Sequence, residues 1–270
     1  MTVTPQQLRD FLDRHGQAVL VEVTGVKGST PREAGAWMAV SGTRTIGTIG
    51  GGQLEFLAIR HAREMLEAAT RGDSMDIPLG PEISQCCGGR VALDFALIDA
   101  ELRAALDARV AADHAGRPQA LVFGAGHVGK ALALALSALP YRTLLVDTRA
   151  EELASVGEGV ETLHTVLPEA EVRAAPPASA FVVLTHEHSL DFLIAREALA
   201  RGDAAYVGMI GSKTKKATFR SWLADQGEDA SLLDRLVTPI GGSGVHDKRP
   251  EIIAALTAAE IIAAFSAVEA

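Results

Sequence analysis

The chain has 270 residues, enough for one large domain or two ordinary ones. Hydrophobic residues make up 48% and aromatic ones only 4%, so a sizeable core has to be built from Ala, Leu, Val and Ile. A net charge of -9 argues against a nucleic-acid partner, because neutralising phosphates takes a basic surface.

The first residues lack the apolar stretch of a signal peptide. They read as a capped helix, with Thr4 as N-cap and Pro5 at the first helical position. Buried strands are expected at 18–23, 36–40 and 90–95, where apolar residues run together. Between them, 53–69 carries Leu54, Leu57, Ala58, His61, Met65 and Leu66 at helical spacing, an amphipathic helix. An alanine-rich, charged helix over 99–115 follows, and Gly116-Arg117-Pro118 breaks it. The domain boundary is placed there, giving a smaller N-terminal α/β domain with its linker helix over 1–116 and a second domain over 117–270.

The second domain alternates strands and helices. Strands are expected at 120–123, 142–146, 180–185, 205–210 and 236–240. Helices are expected up to Leu139, over 189–200 and 213–225, and over 250–267. Strands without polar alternation, separated by helices, predict a parallel sheet covered on both faces. In the closing helix Ile252, Ile253, Leu256, Ala259, Ile262 and Ala263 form the expected core-facing stripe. No apolar run approaches the ~20 residues of a membrane span, so no membrane partner is expected, and a cytoplasmic location is. The only two cysteines are neighbours, which excludes a disulfide framework.

Several clusters carry chemistry. Gly124-Ala125-Gly126-His127-Val128-Gly129 follows a strand and opens a helix, the context a dinucleotide fingerprint requires, and Asp147 ends the next strand, where a ribose hydroxyl would be met. This points to a Rossmann-like sheet. It leaves open whether a nucleotide is bound or the glycines serve packing alone. His186-Glu187-His188-Ser189-Leu190-Asp191 follows another parallel strand. Leu190 and Asp191 stand where a metallo-hydrolase motif needs Asp and His, so a polar, ligand-facing loop is expected rather than a metal site. Lys213, with Lys215 and Lys216, puts positive charge in the first turn of a helix, against its dipole.

The N-terminal half offers Gly28-Ser29-Thr30-Pro31-Arg32 and Thr48-Ile49-Gly50-Gly51-Gly52-Gln53-Leu54-Glu55. The three glycines Gly50, Gly51 and Gly52 read as a floor of bare N–H groups suited to an anion, with Arg32 as a bidentate phosphate contact; the plain alternative is a turn. Cys86-Cys87-Gly88-Gly89 sets two thiols beside two glycines. Thiolate is the soft ligand suited to molybdenum or to sulfur transfer, though a free cysteine is equally at home buried.

Taken in order, these motifs resemble the XdhC/CoxI family across nearly the whole chain. The resemblance also rests on Thr185 before His186, on Val207-Gly208-Met209-Ile210-Gly211-Ser212-Lys213, and on Pro239-Ile240-Gly241 before the Pro250-Glu251-Ile252 helix. It implies a non-enzymatic maturation chaperone that binds the molybdenum cofactor (molybdopterin), protects its sulfurated form and delivers it to xanthine dehydrogenase in purine catabolism. The implied partners are the molybdenum subunit of that dehydrogenase and a cysteine desulfurase, and a homo-oligomer is expected. Gln53 departs from the pattern, since many members have Cys there, and this shifts weight onto Cys87 and Cys86 as tentative ligands of the molybdenum. The residues expected to hold the cofactor are those two cysteines with Gly88, Gly89, Arg32, Gly50–Gly52, Gln53 and Glu55. Gly124, Gly126, His127, Gly129, Asp147, His186, His188, Asp191 and Lys213 complete the expected site. An NAD(P)-dependent oxidoreductase is the rival reading, resting on Gly124–Gly129 and Asp147; a scaffold that binds no small molecule is the other.

Overall fold

The computed structural model describes residues 3–80, 88–157, 159–242 and 244–269. The chain divides into two compact units, Met1–Ala115 and Gly116–Ala270.

The first unit opens with helix α1 (Pro5–His15), where the Thr4 side chain accepts from the Gln7 amide and the Gln7 side chain accepts from the Thr4 amide, a complete capping box. Strands β1 (Ala18–Lys27), β2 (Trp37–Ser41) and β3 (Thr45–Gly47) precede helix α2 (Gly52–Glu67). Strands β4 (Gly72–Pro78) and β5 (Arg90–Leu97) and helix α3 (Ala100–Ala115) complete it. The sheet order is β3-β2-β1-β5-β4, with antiparallel pairing throughout. Strand β1 alternates its side chains between the two faces. Val19, Val21 and Val23 meet Leu54, Ala58, Ala62 and Met65 of α2, whereas Ala18 and Leu20 meet Leu8, Phe11 and Leu12 of α1 with Leu106 and Val110 of α3. The α2 stripe thus holds at Leu54, Ala58 and Met65, while Leu57 and His61 are only half-buried.

The second unit runs β6 (Gln119–Phe123), α4 (His127–Ser137), β7 (Arg142–Asp147), α5 (Ala150–Ala154), β8 (Glu161–His164), α6 (Pro168–Ala174), β9 (Ala180–Val183), α7 (His188–Arg201), β10 (Tyr206–Met209), α8 (Lys213–Asp225), β11 (Leu236–Val237) and α9 (Pro250–Glu269). Its sheet is parallel in the order β11-β10-β9-β6-β7-β8. The order reverses between β6 and β9, and ligands of open parallel sheets settle outside the carboxyl ends of the strands at such a reversal. Helices α4 and α9 cover one face around Leu132, Leu136, Ala258 and Ile261; α6, α7 and α8 cover the other around Val172, Ile194 and Phe219. Strand β11 is shorter than the expected 236–240, since Pro239 has no N–H to give a ladder. Strand β8 and the short helices α5 and α6 carry no clear period and escape a sequence reading.

Two expectations about α9 are corrected. Pro250–Val268, with mean hydropathy 1.8, is long and apolar enough by length and composition to cross a membrane, so the chain does hold one run of that kind among the described residues. The buried face is also a different one. Ala254, Thr257, Ala258, Ile261 and Phe265 point inward, Ile252, Ile253 and Leu256 are half-buried, and Ala259, Ile262 and Ala263 are exposed. The reason is polar. Glu260 accepts from the Tyr206 hydroxyl at 2.6 Å and from the Gly241 amide at 3.3 Å, and the Thr257 hydroxyl donates to the Ile253 carbonyl at 2.8 Å. The two bonds to Glu260 hold this side of the helix against β10 and the Gly241 turn, whereas the Thr257 bond lies within α9 and only satisfies its buried hydroxyl. Burial, followed by the bond to Glu260, pushes the Tyr206 hydroxyl far above its ordinary pKa, so it stays a donor.

Candidate functional site

In the first unit the glycines bring separate loops together. A Cβ on Gly89 would lie 2.2 Å from the Ser29 carbonyl oxygen and 2.8 Å from that of Lys27, so only glycine lets the two backbones touch. Ser29 and Gly88 form a parallel bridge, and Gly88 and Gly89 exchange hydrogen bonds with Leu79 at 2.9 and 2.8 Å. A Cβ on Gly50 would lie 2.6 Å from Pro31 Cγ. The loops 28–32, 48–55 and 88–89 therefore meet at one place. Cys86 and Cys87 lie outside the described residues, but Cys87 is joined by a peptide bond to Gly88. The bareness of Gly89 serves backbone packing, whereas a Cβ on Gly88 would meet nothing within 4 Å.

The glycine floor is not bare. Glu55 Oε1 accepts from the Ile49 and Gly51 amides, each at 3.0 Å, and from the Thr48 hydroxyl, which in turn accepts from the Gly50 amide at 3.2 Å. A carboxylate of the chain itself fills the nest expected for an anionic ligand. Gly52 and Gln53 are exposed beside it. Arg32 is exposed, its Cγ would stand 3.6 Å from a Gly50 Cβ, and its guanidinium has no hydrogen-bond or ion-pair partner among the described residues.

In the second unit the turn between β6 and α4 divides its three glycines by role. A Cβ on Gly124 would lie 2.3 Å from the Leu184 carbonyl oxygen, and one on Gly129 only 1.8 Å from that of Gly124. A Cβ on Gly126 would meet nothing, and its φ of -73° suits any residue. Asp147, 5% exposed, is fully engaged. Its carboxylate accepts from the Ala125 amide at 2.6 Å, from the Arg149 amide at 2.9 Å, and from Arg149 Nε and Nη2, each at 3.0 Å. Burial by itself raises this carboxyl, but the bonds from Arg149 and the Ala125 amide outweigh it and hold the pKa below the ordinary value. Asp147 thus pins the glycine turn and presents Arg149 rather than offering a free oxygen to a ribose.

Above this turn lies a crevice of about 450 Å³, lined by Gly126, His127, Lys130, Arg149, Glu152, Leu184, Thr185 and His186. Lys130 Nζ donates to Glu152 at 2.7 Å, and Arg149 Nη1 stands 3.6 Å from the same carboxylate. Lys130, Arg149 and Glu152 were not singled out from the sequence, where charges near a helix start pass for a solvated face. Their spacing, three after His127 and two after Asp147, is the signal available. The smaller recess on the other side of Thr185 and His186, lined also by Gly124, Asp147, Pro168 and Leu190, holds only about 10 Å³.

The loop after β9 is organised by a buried pair. Asp191, completely buried, accepts from the Thr185 amide at 2.9 Å, from the Thr185 hydroxyl at 2.7 Å and from Lys215 Nζ. Lys215 also donates to the Ile210 carbonyl at 2.9 Å. Asp191 is a fixture of the fold, not a ligand-facing group, and Lys215, not the exposed Lys213, is the lysine turned inward. His186 is exposed on the crevice wall, while His188 is exposed and stacked on Phe192 at 6.4 Å. Among the described residues no three His, Cys, Asp or Glu side chains are placed to hold a metal ion.

Comparison with known proteins places this geometry. Residues 120–261 match the XdhC Rossmann domain and residues 11–75 match the XdhC and CoxI family. An uncharacterised Escherichia coli protein, YqeB, is 24% identical over 250 residues, 90% of this chain but 42% of its own length, so the chain spans under half of that relative. The crystal structure of a Bacillus halodurans protein described as a xanthine dehydrogenase superposes with a TM-score of 0.70. That match covers 98% of this chain and 96% of the other at 17% identity, a likeness of fold.

Proposed function

Because the chain belongs to the XdhC/CoxI family, we propose that it is a non-enzymatic maturation factor for a xanthine dehydrogenase, holding the molybdenum cofactor and handing it on. The observation that carries this reading is the meeting of loops 28–32, 48–55 and 88–89: Gly88, next to Cys87 in the chain, bridges Ser29, and Pro31 and Arg32 of the same loop lie against Gly50. The donor set suits such a cofactor. Cys87 and Cys86 are the soft groups for molybdenum or its sulfur ligands, and Arg32, exposed and with no side-chain partner among the described residues, suits the cofactor's phosphate. When bound, the cofactor supplies the metal and dithiolene chemistry that the dehydrogenase later uses. The chain's own residues hold and shield it, with Glu55 keeping loop 48–55 rigid. A cysteine desulfurase and the molybdenum subunit of the dehydrogenase are the proposed partners, in the cytoplasm.

The test is cofactor retained per protein after gel filtration of protein co-expressed with the cofactor pathway. At least one of Cys86→Ser and Cys87→Ser is expected to lose it at an unchanged melting temperature, with Cys87 first. A double variant that retains as much cofactor as the parent overturns the site.

A further inference from the structure

We infer that the ring of Phe56 is the platform on which a flat heterocycle lies in the first unit. The inference rests on the cofactor reading above and deepens it, by naming the side chain that meets the pterin ring. The first observation is exposure. The chain has eight phenylalanines, and all but Phe56 are 7% exposed or less, whereas Phe56 is 58% exposed. Neither cluster of buried side chains in the first unit includes it, and its ring meets no other aromatic ring among the described residues. Leu54, Ala58, Ala62 and Met65 already form the buried face of α2, so the fold makes no use of this ring.

The second observation is position. Phe56 stands four residues after Gly52 and three after Gln53, so the three share one side of α2, and all are exposed. Helical side chains lean toward the N-terminus, which carries the ring over the turn of Gly52, where no side chain competes for the space. Loop 48–52 continues from that turn and holds Gly50 against Pro31 and Arg32. Glu55, the neighbour of Phe56, is already committed to the Ile49 and Gly51 amides. The ligand chemistry follows from these groups. Phe56 offers an aromatic face, Gln53 an amide that both donates and accepts, and Arg32 a guanidinium with no side-chain partner among the described residues. A planar heterocycle with polar ring edges and an anionic tail answers all three. Its ring stacks on Phe56, its edge meets Gln53 and its tail reaches toward Arg32.

The experiment is calorimetric titration of the full chain with neopterin monophosphate, a pterin with a phosphate tail and no metal. Phe56→Ala should weaken its binding about ten-fold, the weight of one ring stacked on an aromatic side chain, at an unchanged melting temperature. Phe56→Leu, apolar but without a ring face, should weaken it nearly as much. Phe56→Trp should bind as the parent does, and the pterin should quench its emission beyond the quench of Trp37 and Trp222 in the parent. Cys87→Ser should also bind as the parent does, since the probe carries no metal. Parent-like binding by Phe56→Ala or by Phe56→Leu overturns the platform, while cofactor retention after gel filtration still decides the maturation reading separately. A parent chain that binds no neopterin monophosphate at millimolar concentration overturns the platform as well. So does a Phe56→Ala protein that binds the pterin normally yet no longer matures the dehydrogenase, because the ring would then be an anchor for a protein partner.

Discussion

At the scale of single residues, the charged groups of the second unit separate into those that hold the fold and those that face solvent. Asp191 and Lys215 are the clearest of the first kind, because removing one partner of a buried pair strands the other charge. Lys215→Met is expected to destabilise by about 3–5 kcal/mol in urea unfolding, while Lys213→Met stays within about 0.5 kcal/mol. Equal effects would show that Asp191 does not depend on Lys215. Asp147 gives a pH signature. Its folded pKa lies below the unfolded value of about 3.9, so its stabilisation is present above that pH and is lost as pH falls through the folded pKa. The stability gap between the parent and Asp147→Asn is therefore expected to be widest above about pH 4 and to narrow below it. A gap that does not change with pH would remove Asp147 from the acid response.

At the scale of elements, the strand–helix alternation, the glycine turn before α4 and the Thr4 cap of α1 were legible because each is local: a period, a spacing, a cap. The face of α9 was not, because Tyr206 and Gly241 decide it through Glu260, and no helical period contains that bond. The same limit applies to the candidate site. Gly50, Gly51 and Glu55 were picked out together, yet only the fold shows that Glu55 satisfies the loop itself. Arg149 drew no notice because its role is set by Asp147. Ile261→Ala, in the core beneath α9, should cost about 2–5 kcal/mol, and Ile262→Ala, one residue on and exposed, under about 0.5 kcal/mol, both read by urea unfolding. The reverse ranking would restore the stripe read from the sequence. The glycine turn divides in the same way. Gly129→Ala should lose about 1–3 kcal/mol or more, since its Cβ strikes the Gly124 carbonyl, whereas Gly126→Ala has space around it.

At the scale of the whole molecule, the packing falls into two separate sets. The clusters around Val19 and Leu20 contain only residues of the first unit, and those around Leu132 and Phe219 only residues of the second. Each unit thus buries its own sheet between its own helices, the condition for folding as a separate cooperative body. Residues 116–270 expressed alone are expected to unfold in one cooperative transition with native near-ultraviolet dichroism. Ile261→Ala should lower the melting temperature of that fragment by roughly 2–4 °C for each kcal/mol lost, as in any domain of this size. In the full chain the same substitution should move only the transition that matches the fragment, while Leu54→Ala, in the core beneath α2, should move only the other. A fragment that stays unfolded, or a full chain in which both substitutions shift a single common transition, would show that the two cores stabilise one another.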